Sequence, residues 1–231
     1  KNKNKKMKQE KLTQEKEVVL ELNKNQIIIG IPKETSFQEN RICLSPESVG
    51  VLTSNNITIF IEEGAGEGSN FPDSYYSDNG AIIVSGTDVY KKSNLILKVE
   101  PPTLDEVKLM KENQILISAL QIKAINKNYL QRLLDKKITA IAFEYMEDEV
   151  GEISIVRAMS EIAGNTSILI ASEYLSNVND GKGLMLGGIS GVPSTEIVVL
   201  GAGTVGEFAS RAAIGLGASV KVFDNHLYKL R

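Results

Sequence analysis

The stretch Ile197-Val198-Val199-Leu200-Gly201-Ala202-Gly203-Thr204-Val205-Gly206 constrains this chain more than any other. An apolar β-branched run, which reads as a buried strand, opens directly onto G-x-G-x-x-G. A helical pattern continues to Leu216. Gly217-Ala218 then turns into a second strand, Ser219 to Phe223, which ends on Asp224. Strand, glycine turn, helix and second strand in this order form a parallel βαβ unit. Gly201 permits the tight turn, Gly203 lets backbone approach a pyrophosphate, and Gly206 lets the helix press on the strand. The helix start, through Ala202, Thr204 and Val205, offers free N–H groups and the positive end of the helix dipole to phosphates. Asp224 is placed to accept hydrogen bonds from an adenosine ribose. Its charge would repel a 2′-phosphate, so the motif favours NAD over NADP. The motif alone leaves open a tight βα turn with no ligand; the surrounding strand, helix and terminal acid argue against that.

The preceding chain has the same texture. Ile27-Ile28-Ile29, Ile57 to Ile61, Ala81 to Val84, Leu95 to Val99, Ile115 to Ser118 and Ile138 to Ala142 read as strands. Helical patterns lie between them, among them Pro46 to Leu52, with proline suited to a first helical turn, and Asn128 to Asp135. Arg157 to Leu175 is the longest helical stretch, with Met159, Ile162, Thr166, Leu169 and Ile170 at helical spacing. Strands alternating with helices predict an α/β chain of parallel βαβ units. The expected architecture is two Rossmann-like parallel-sheet domains with a cleft between them, the second cut short. Residues 1–25, rich in Lys, Asn, Gln and Glu, are expected to be a solvated or helical tail. Residues 26–156 are expected to form a substrate domain and 157–231 the first part of a nucleotide domain. Leu227 to Arg231 reads as the start of a helix, and both ends look cut. Lacking the nicotinamide half, the stretch by itself is expected to be inactive.

Composition narrows the chemistry. The chain has one histidine, His226, and one cysteine, Cys43. A histidine-based triad, a multi-histidine or cysteine-rich metal site and an internal disulfide are thereby disfavoured, so no metal is expected. A net charge of −3 gives no reason to expect nucleic acid. The longest apolar runs are too short to span a bilayer, no signal peptide is visible, and a cytoplasmic location is expected.

Three polar residues before the glycine turn are candidates for binding a substrate. Arg41 follows Gln38-Glu39-Asn40 in a polar loop, and an arginine can clamp a carboxylate with paired hydrogen bonds. Lys98 ends the apolar run Leu95-Ile96-Leu97, just before Val99-Glu100-Pro101-Pro102, and must reach a pocket or a partner. Gln121 follows a strand and can orient a substrate or a water, though an amide cannot serve as acid or base.

Several stretches together resemble the alanine dehydrogenase family, which includes the NAD(H)-binding α subunit of proton-translocating transhydrogenase. They are Ile31-Pro32-Lys33-Glu34, Glu39-Asn40-Arg41, Glu63-Gly64-Ala65-Gly66, Leu97-Lys98-Val99, Met159-Ser160-Glu161-Ile162-Ala163-Gly164 and the glycine turn. The resemblance implies NAD-dependent deamination of L-alanine to pyruvate and ammonia, and the reverse. It assigns Arg41 and Lys98 to the substrate, and Ser160, Asp224 and Lys229 to the cofactor beside the turn. It also implies a homo-oligomer and no membrane partner. Where the dehydrogenases carry a catalytic histidine, this chain has Gln121, so the resemblance leaves the acid/base role to a water held by Gln121, to Lys98 or to the family's catalytic aspartate from the second half of the nucleotide domain; a transhydrogenase subunit or a lapsed NAD-binding regulator would also lack the histidine. The segment Gly181-Lys182-Gly183 to Gly191-Val192-Pro193 looks closer to the dehydrogenase pattern.

Overall fold

The computed structural model describes residues 26–122 and 126–230; the expected tail lies outside them. Six strands, β1 (Ile28–Ile31), β2 (Thr58–Glu62), β3 (Ile82–Val84), β4 (Leu95–Leu97), β5 (Ile115–Ser118) and β6 (Thr139–Ala142), form one sheet. Every pairing is parallel and the order is β3-β2-β1-β4-β5-β6. This is the doubly wound order, in which the connections reverse direction between β1 and β4. All four residues of β1 are buried, as a central strand covered on both faces requires.

Helices cover both faces. Helices α1 (Pro46–Ser54) and α2 (Asp73–Asp78) pack on one face, where Val49 and Tyr76 meet Ile29, Ile31, Ile59 and Ile61. Helices α3 (Gly86–Lys92), α4 (Leu104–Leu109) and α5 (Lys127–Asp135) pack on the other, where Tyr90, Val107 and Leu133 meet Ile96 and Leu116. Local signals set the helix starts. Ser45 caps α1, with Pro46 in its first turn. Thr103 and Glu106 form a reciprocal capping box on α4, and Asn126 caps α5.

The sheet is followed by α6 (Ser154–Leu175), then β7 (Glu196–Leu200), α7 (Thr204–Gly215) and β8 (Ser219–Phe223). Strands β7 and β8 pair in parallel, as the βαβ reading predicts. Ile197 and Val220 pack with Ile168 of α6 and Ala209 and Ala213 of α7, while Val198, Leu200 and Phe223 on the opposite face are exposed. The alternation follows from the two-residue repeat of a strand. Helices α6 and α7 cross closely at Gly164. A β-carbon there would lie 2.5 Å from the Val205 carbonyl oxygen and 2.7 Å from Phe208 Cβ.

Some boundaries differ from the sequence pattern. Helix α6 starts earlier than its periodicity predicts, because Asp148 accepts hydrogen bonds from the Val150 and Glu152 amides and the Ser154 hydroxyl and organises the turn into it. Strand β4 stops at Leu97 rather than Val99: the Lys98 amide still donates to Ile117, but the Val99 and Glu100 amides go to the Glu34 carboxylate. Leu227–Leu230 forms a short 3-10 turn. Among the described residues, no helix is long and apolar enough to cross a membrane.

Candidate active site

In an open parallel sheet the carboxyl ends of the strands diverge where the order reverses, and the crevice there is the natural place for a ligand. The chain following β1, β4 and β5 supplies Glu34, Lys98, Glu100 and Gln121 at that end. Two carboxylates fix these strand ends in the same way. Glu34 accepts the Val99 amide at 2.7 Å and the Glu100 amide at 3.4 Å. Glu144, in the 3-10 turn after β6, accepts the Leu120 amide at 3.1 Å and the Gln121 amide at 2.7 Å. Each clamp satisfies backbone donors that the ladder no longer can. Between them Gln121 is held at φ 48°, a left-handed conformation uncommon for a non-glycine residue.

Lys98 is 1% exposed, and its ammonium lies 3.2 Å from Glu34 Oε2 and 2.9 Å from Glu106 Oε1. Tyr90 also donates to Glu106, at 3.1 Å. The two carboxylates titrate in opposite senses. Burial raises the Glu34 pKa above its ordinary value, against the pull of Lys98. For Glu106 burial is again the largest influence, but the Thr103 amide and the Lys98 charge together outweigh it and lower the pKa. Burial, reinforced by Glu106, pushes the Tyr90 phenol well up.

Arg41 stands on the other side of Glu34, half exposed. Its Nε and Nη2 donate to Glu39 at 2.8 and 2.5 Å. That pairing raises the Arg41 pKa and lowers that of Glu39. The Nη1 side faces α6, with Met159 Sδ at 3.5 Å. Here an apolar cavity of about 340 Å³ opens between the strand ends and α6, lined by Leu97, Val99, Ile117, Phe143, Ile155 and Met159 with Arg41 at its edge. Cys43 also lines it, its thiol pushed up to about 12 by burial.

Glu100 links the two sides. Its Oε2 accepts from Gln121 Nε2 at 2.9 Å, and its Oε1 lies 3.9 Å from Arg41 Nη2. The structure therefore brings Arg41, Lys98 and Gln121 into one cluster, through glutamates that residue patterns did not single out as site residues. Glu34 and Glu100 lie within or beside stretches that mark the family, but only the fold shows that the Glu34 carboxylate takes the Glu100 amide. Glu106 and Glu144 carry no sequence signal beyond an N-terminal cap and a strand end.

The glycine turn has the geometry of a nucleotide cradle. Gly201 has φ 108°, and a β-carbon at Gly206 would lie 1.8 Å from the Gly201 carbonyl oxygen. A β-carbon at Gly203 would meet nothing within 4 Å, so open space lies over the start of α7. No side chain caps that helix start, which leaves its first amides to a ligand. Asp224 Oδ2 accepts the Ala202 amide and Oδ1 the His226 amide, both at 2.7 Å. These bonds lower the Asp224 pKa and keep it ionised. Oδ1 also faces His226 Nδ1 at 3.3 Å, while Oδ2 has Ala202 as its one partner and retains a lone pair for a ribose hydroxyl. Lys229 and Ala202 line a neighbouring cavity of about 450 Å³. Ser160 lies one helical turn before Gly164, whose position on α6 packs against Val205 and Phe208. The residues present fit NAD.

Known proteins resemble this chain in sequence and fold. Residues 30–163 match the alanine dehydrogenase/PNT N-terminal domain and residues 167–231 the corresponding C-terminal domain. Alanine dehydrogenase of Methanococcus maripaludis is 38% identical over 205 residues, covering 88% of this chain and 55% of that protein. The chain thus spans about half the length of the curated relatives it matches. A solved L-alanine dehydrogenase superposes with TM-score 0.81 at 37% identity, over 88% of this chain and 56% of the other. A transhydrogenase from Sinorhizobium meliloti superposes with TM-score 0.78 at 27% identity, over 87% and 60%. With both domain models matched in order along one chain, and the nucleotide turn and strand-end cluster formed as described, the chain belongs to the alanine dehydrogenase/PNT family.

Proposed function

We propose that the complete protein catalyses NAD-dependent oxidative deamination of L-alanine to pyruvate and ammonia, and the reverse reaction. The observation that carries this reading is the position of Arg41, at the edge of an apolar cavity and flanked by Glu39 and Glu100. A small ligand bearing both a carboxylate and an ammonium finds a partner for each there, and the cavity takes a short aliphatic side chain. In this reading the Nη1 side of Arg41 holds the carboxylate. Lys98 exchanges one of its glutamate partners for the substrate's carbonyl oxygen. Bound NAD supplies the hydride acceptor, and the chain's own contribution is orientation and proton handling. The glycine turn, Asp224, Ser160 and Lys229 hold the nucleotide. Assembly as a homo-oligomer, a cytoplasmic location and a division into a substrate domain (26–156) and a nucleotide domain (157–231) belong to the same proposal.

Gln121, which stands where the dehydrogenases carry histidine, favours a second reading as a transhydrogenase-type subunit. NADH oxidation by the complete protein with pyruvate and ammonium, free of membranes, separates the two. Sustained oxidation supports the dehydrogenase. NADH binding without oxidation favours the transhydrogenase.

A further inference from the structure

The adenosine end of the nucleotide site is built from β7, α7, β8 and the turn that follows them. Its acid is Asp224, whose side chain is 6% exposed. The His226 amide donates to Asp224 Oδ1 at 2.7 Å, and this tight link sets the His226 ring beside the same oxygen, with Nδ1 at 3.3 Å. The other side of the ring is open, since the His226 side chain is 54% exposed. With Nδ1 turned to the carboxylate, Nε2 faces away from it. In a neutral ring that nitrogen is an acceptor, of no use to a phosphate. In an imidazolium it is a charged donor.

Among the described residues, the charged groups around His226 leave its own charge to decide the sign of this corner. Asp224 contributes one negative charge. Lys229, in the 3-10 turn, contributes one positive charge. Tyr228 touches both sides of this pair, its ring centroid 5.6 Å from that of His226 and 6.0 Å from the Lys229 ammonium. The Ala202 and His226 amides, and after them the Lys229 charge, lower the Asp224 pKa. From α7, Glu207 and Arg211 line the cavity that Lys229 shares, and they pair with each other at 2.5 Å. Carboxylates, phenols, ammonium and guanidinium groups ordinarily keep one charge state between about pH 5.5 and 8.5, and an imidazole does not. With a neutral ring the charges of Asp224 and Lys229 balance. With a protonated ring the corner is positive.

We propose that His226 is a specificity-determining residue for the cofactor, an inference that rests on the NAD reading above. As a neutral ring it leaves the Asp224 carboxylate to select NAD(H). As an imidazolium it offsets that carboxylate and offers Nε2–H to a 2′-phosphate, so the preference for NAD(H) over NADP(H) narrows as pH falls. The proton acts on both cofactors in the same sense. It holds the ring more firmly on Oδ1, against a ribose hydroxyl, and it replaces repulsion of a 2′-phosphate by a charge-assisted hydrogen bond.

The test measures dissociation constants of NADH and NADPH for the complete protein, by fluorescence titration at pH 5.5 and 8.5 and constant ionic strength. Wild type, His226→Asn and His226→Lys are compared. A phosphate monoester itself gains a proton near pH 6, at about the pKa of other monoesters, so the NADPH-to-NADH ratio of constants moves in any variant. The deciding quantity is the movement beyond that of His226→Asn. In wild type the ratio should fall roughly three- to tenfold further between pH 8.5 and 5.5 than in His226→Asn. His226→Lys, with a fixed charge, should already show a ratio lower by a similar factor at pH 8.5. Equal movement in wild type and His226→Asn overturns the proposal. Should His226→Asn not fold, His226→Lys decides: a lowered ratio at pH 8.5 supports the proposal and a wild-type ratio overturns it. A wild type that binds neither nucleotide overturns the NAD reading and this proposal together, whereas NADH binding without the excess movement overturns this proposal alone.

Discussion

Replacing Lys98 with methionine keeps most of the side chain's volume and removes its charge from between two buried carboxylates. The Lys98 side chain is 1% exposed, that of Glu34 6% and that of Glu106 13%. At an effective dielectric constant of about 20, each contact near 3 Å is worth roughly 5 kcal/mol of attraction. Much of that offsets the cost of burying the ions, but removing one partner leaves the others uncompensated, which costs about 3–5 kcal/mol. The sign of the pH dependence follows from the two carboxylates. In the wild type, Glu106 has a lowered pKa, so its contribution is present above the ordinary value of 4.5 and is lost as pH falls through the lowered folded value. Glu34 has a raised pKa, so its ionisation costs stability as pH rises from 4.5 through the raised folded value. Without Lys98 both pKa values must rise, and the orphaned acids protonate on mild acidification. The penalty of Lys98→Met should therefore be full at pH 8 and much smaller at pH 5. With a urea slope of about 2 kcal/mol/M, the unfolding midpoint should drop by about 2 M at pH 8. Urea titrations followed by circular dichroism at both pH values measure this. An equal drop at both would mean that lost packing, not lost charge compensation, is responsible. A drop under about 0.5 M at pH 8 would refute the reasoning.

Gly206→Ala places a methyl where 1.8 Å separates its position from the Gly201 carbonyl oxygen, and α7 must move off β7. About 1–3 kcal/mol of stability and most NADH affinity should be lost, and a fluorescence titration showing wild-type NADH affinity would contradict the cradle. Asp224→Ala should weaken NADH binding while narrowing the gap to NADPH, since the carboxylate that repels a 2′-phosphate is gone; parallel titrations with the two nucleotides read the ratio. Thr103→Ala breaks the capping box that orients Glu106 and should cost about 1 kcal/mol in thermal unfolding, with no loss if the box is dispensable.

The nucleotide turn was legible because its chemistry is local. Gly201, Gly203, Gly206 and Asp224 act within one βαβ unit whose spacing is fixed by one helix and one strand. The parallel α/β class was legible for a similar reason, since β-branched runs and helical repeats alternate along the chain. Arg41, Lys98 and Gln121 stood out because an arginine in a polar loop and a lysine and an amide at strand ends invite the question of what they bind. What bound them together did not. Nothing along the chain pairs Glu34 with Val99, Glu106 with Lys98, Glu100 with Gln121 or Glu144 with Gln121. Strand order sets those partners. Placing β4 beside β1 brings Glu34 against Val99 and Glu100, and placing β6 beside β5 brings Glu144 against Gln121. Hydrogen bonds and ion pairs between residues distant in sequence have no periodicity to betray them, so only the tertiary structure decides which of this chain's carboxylates are buried, committed or free to work.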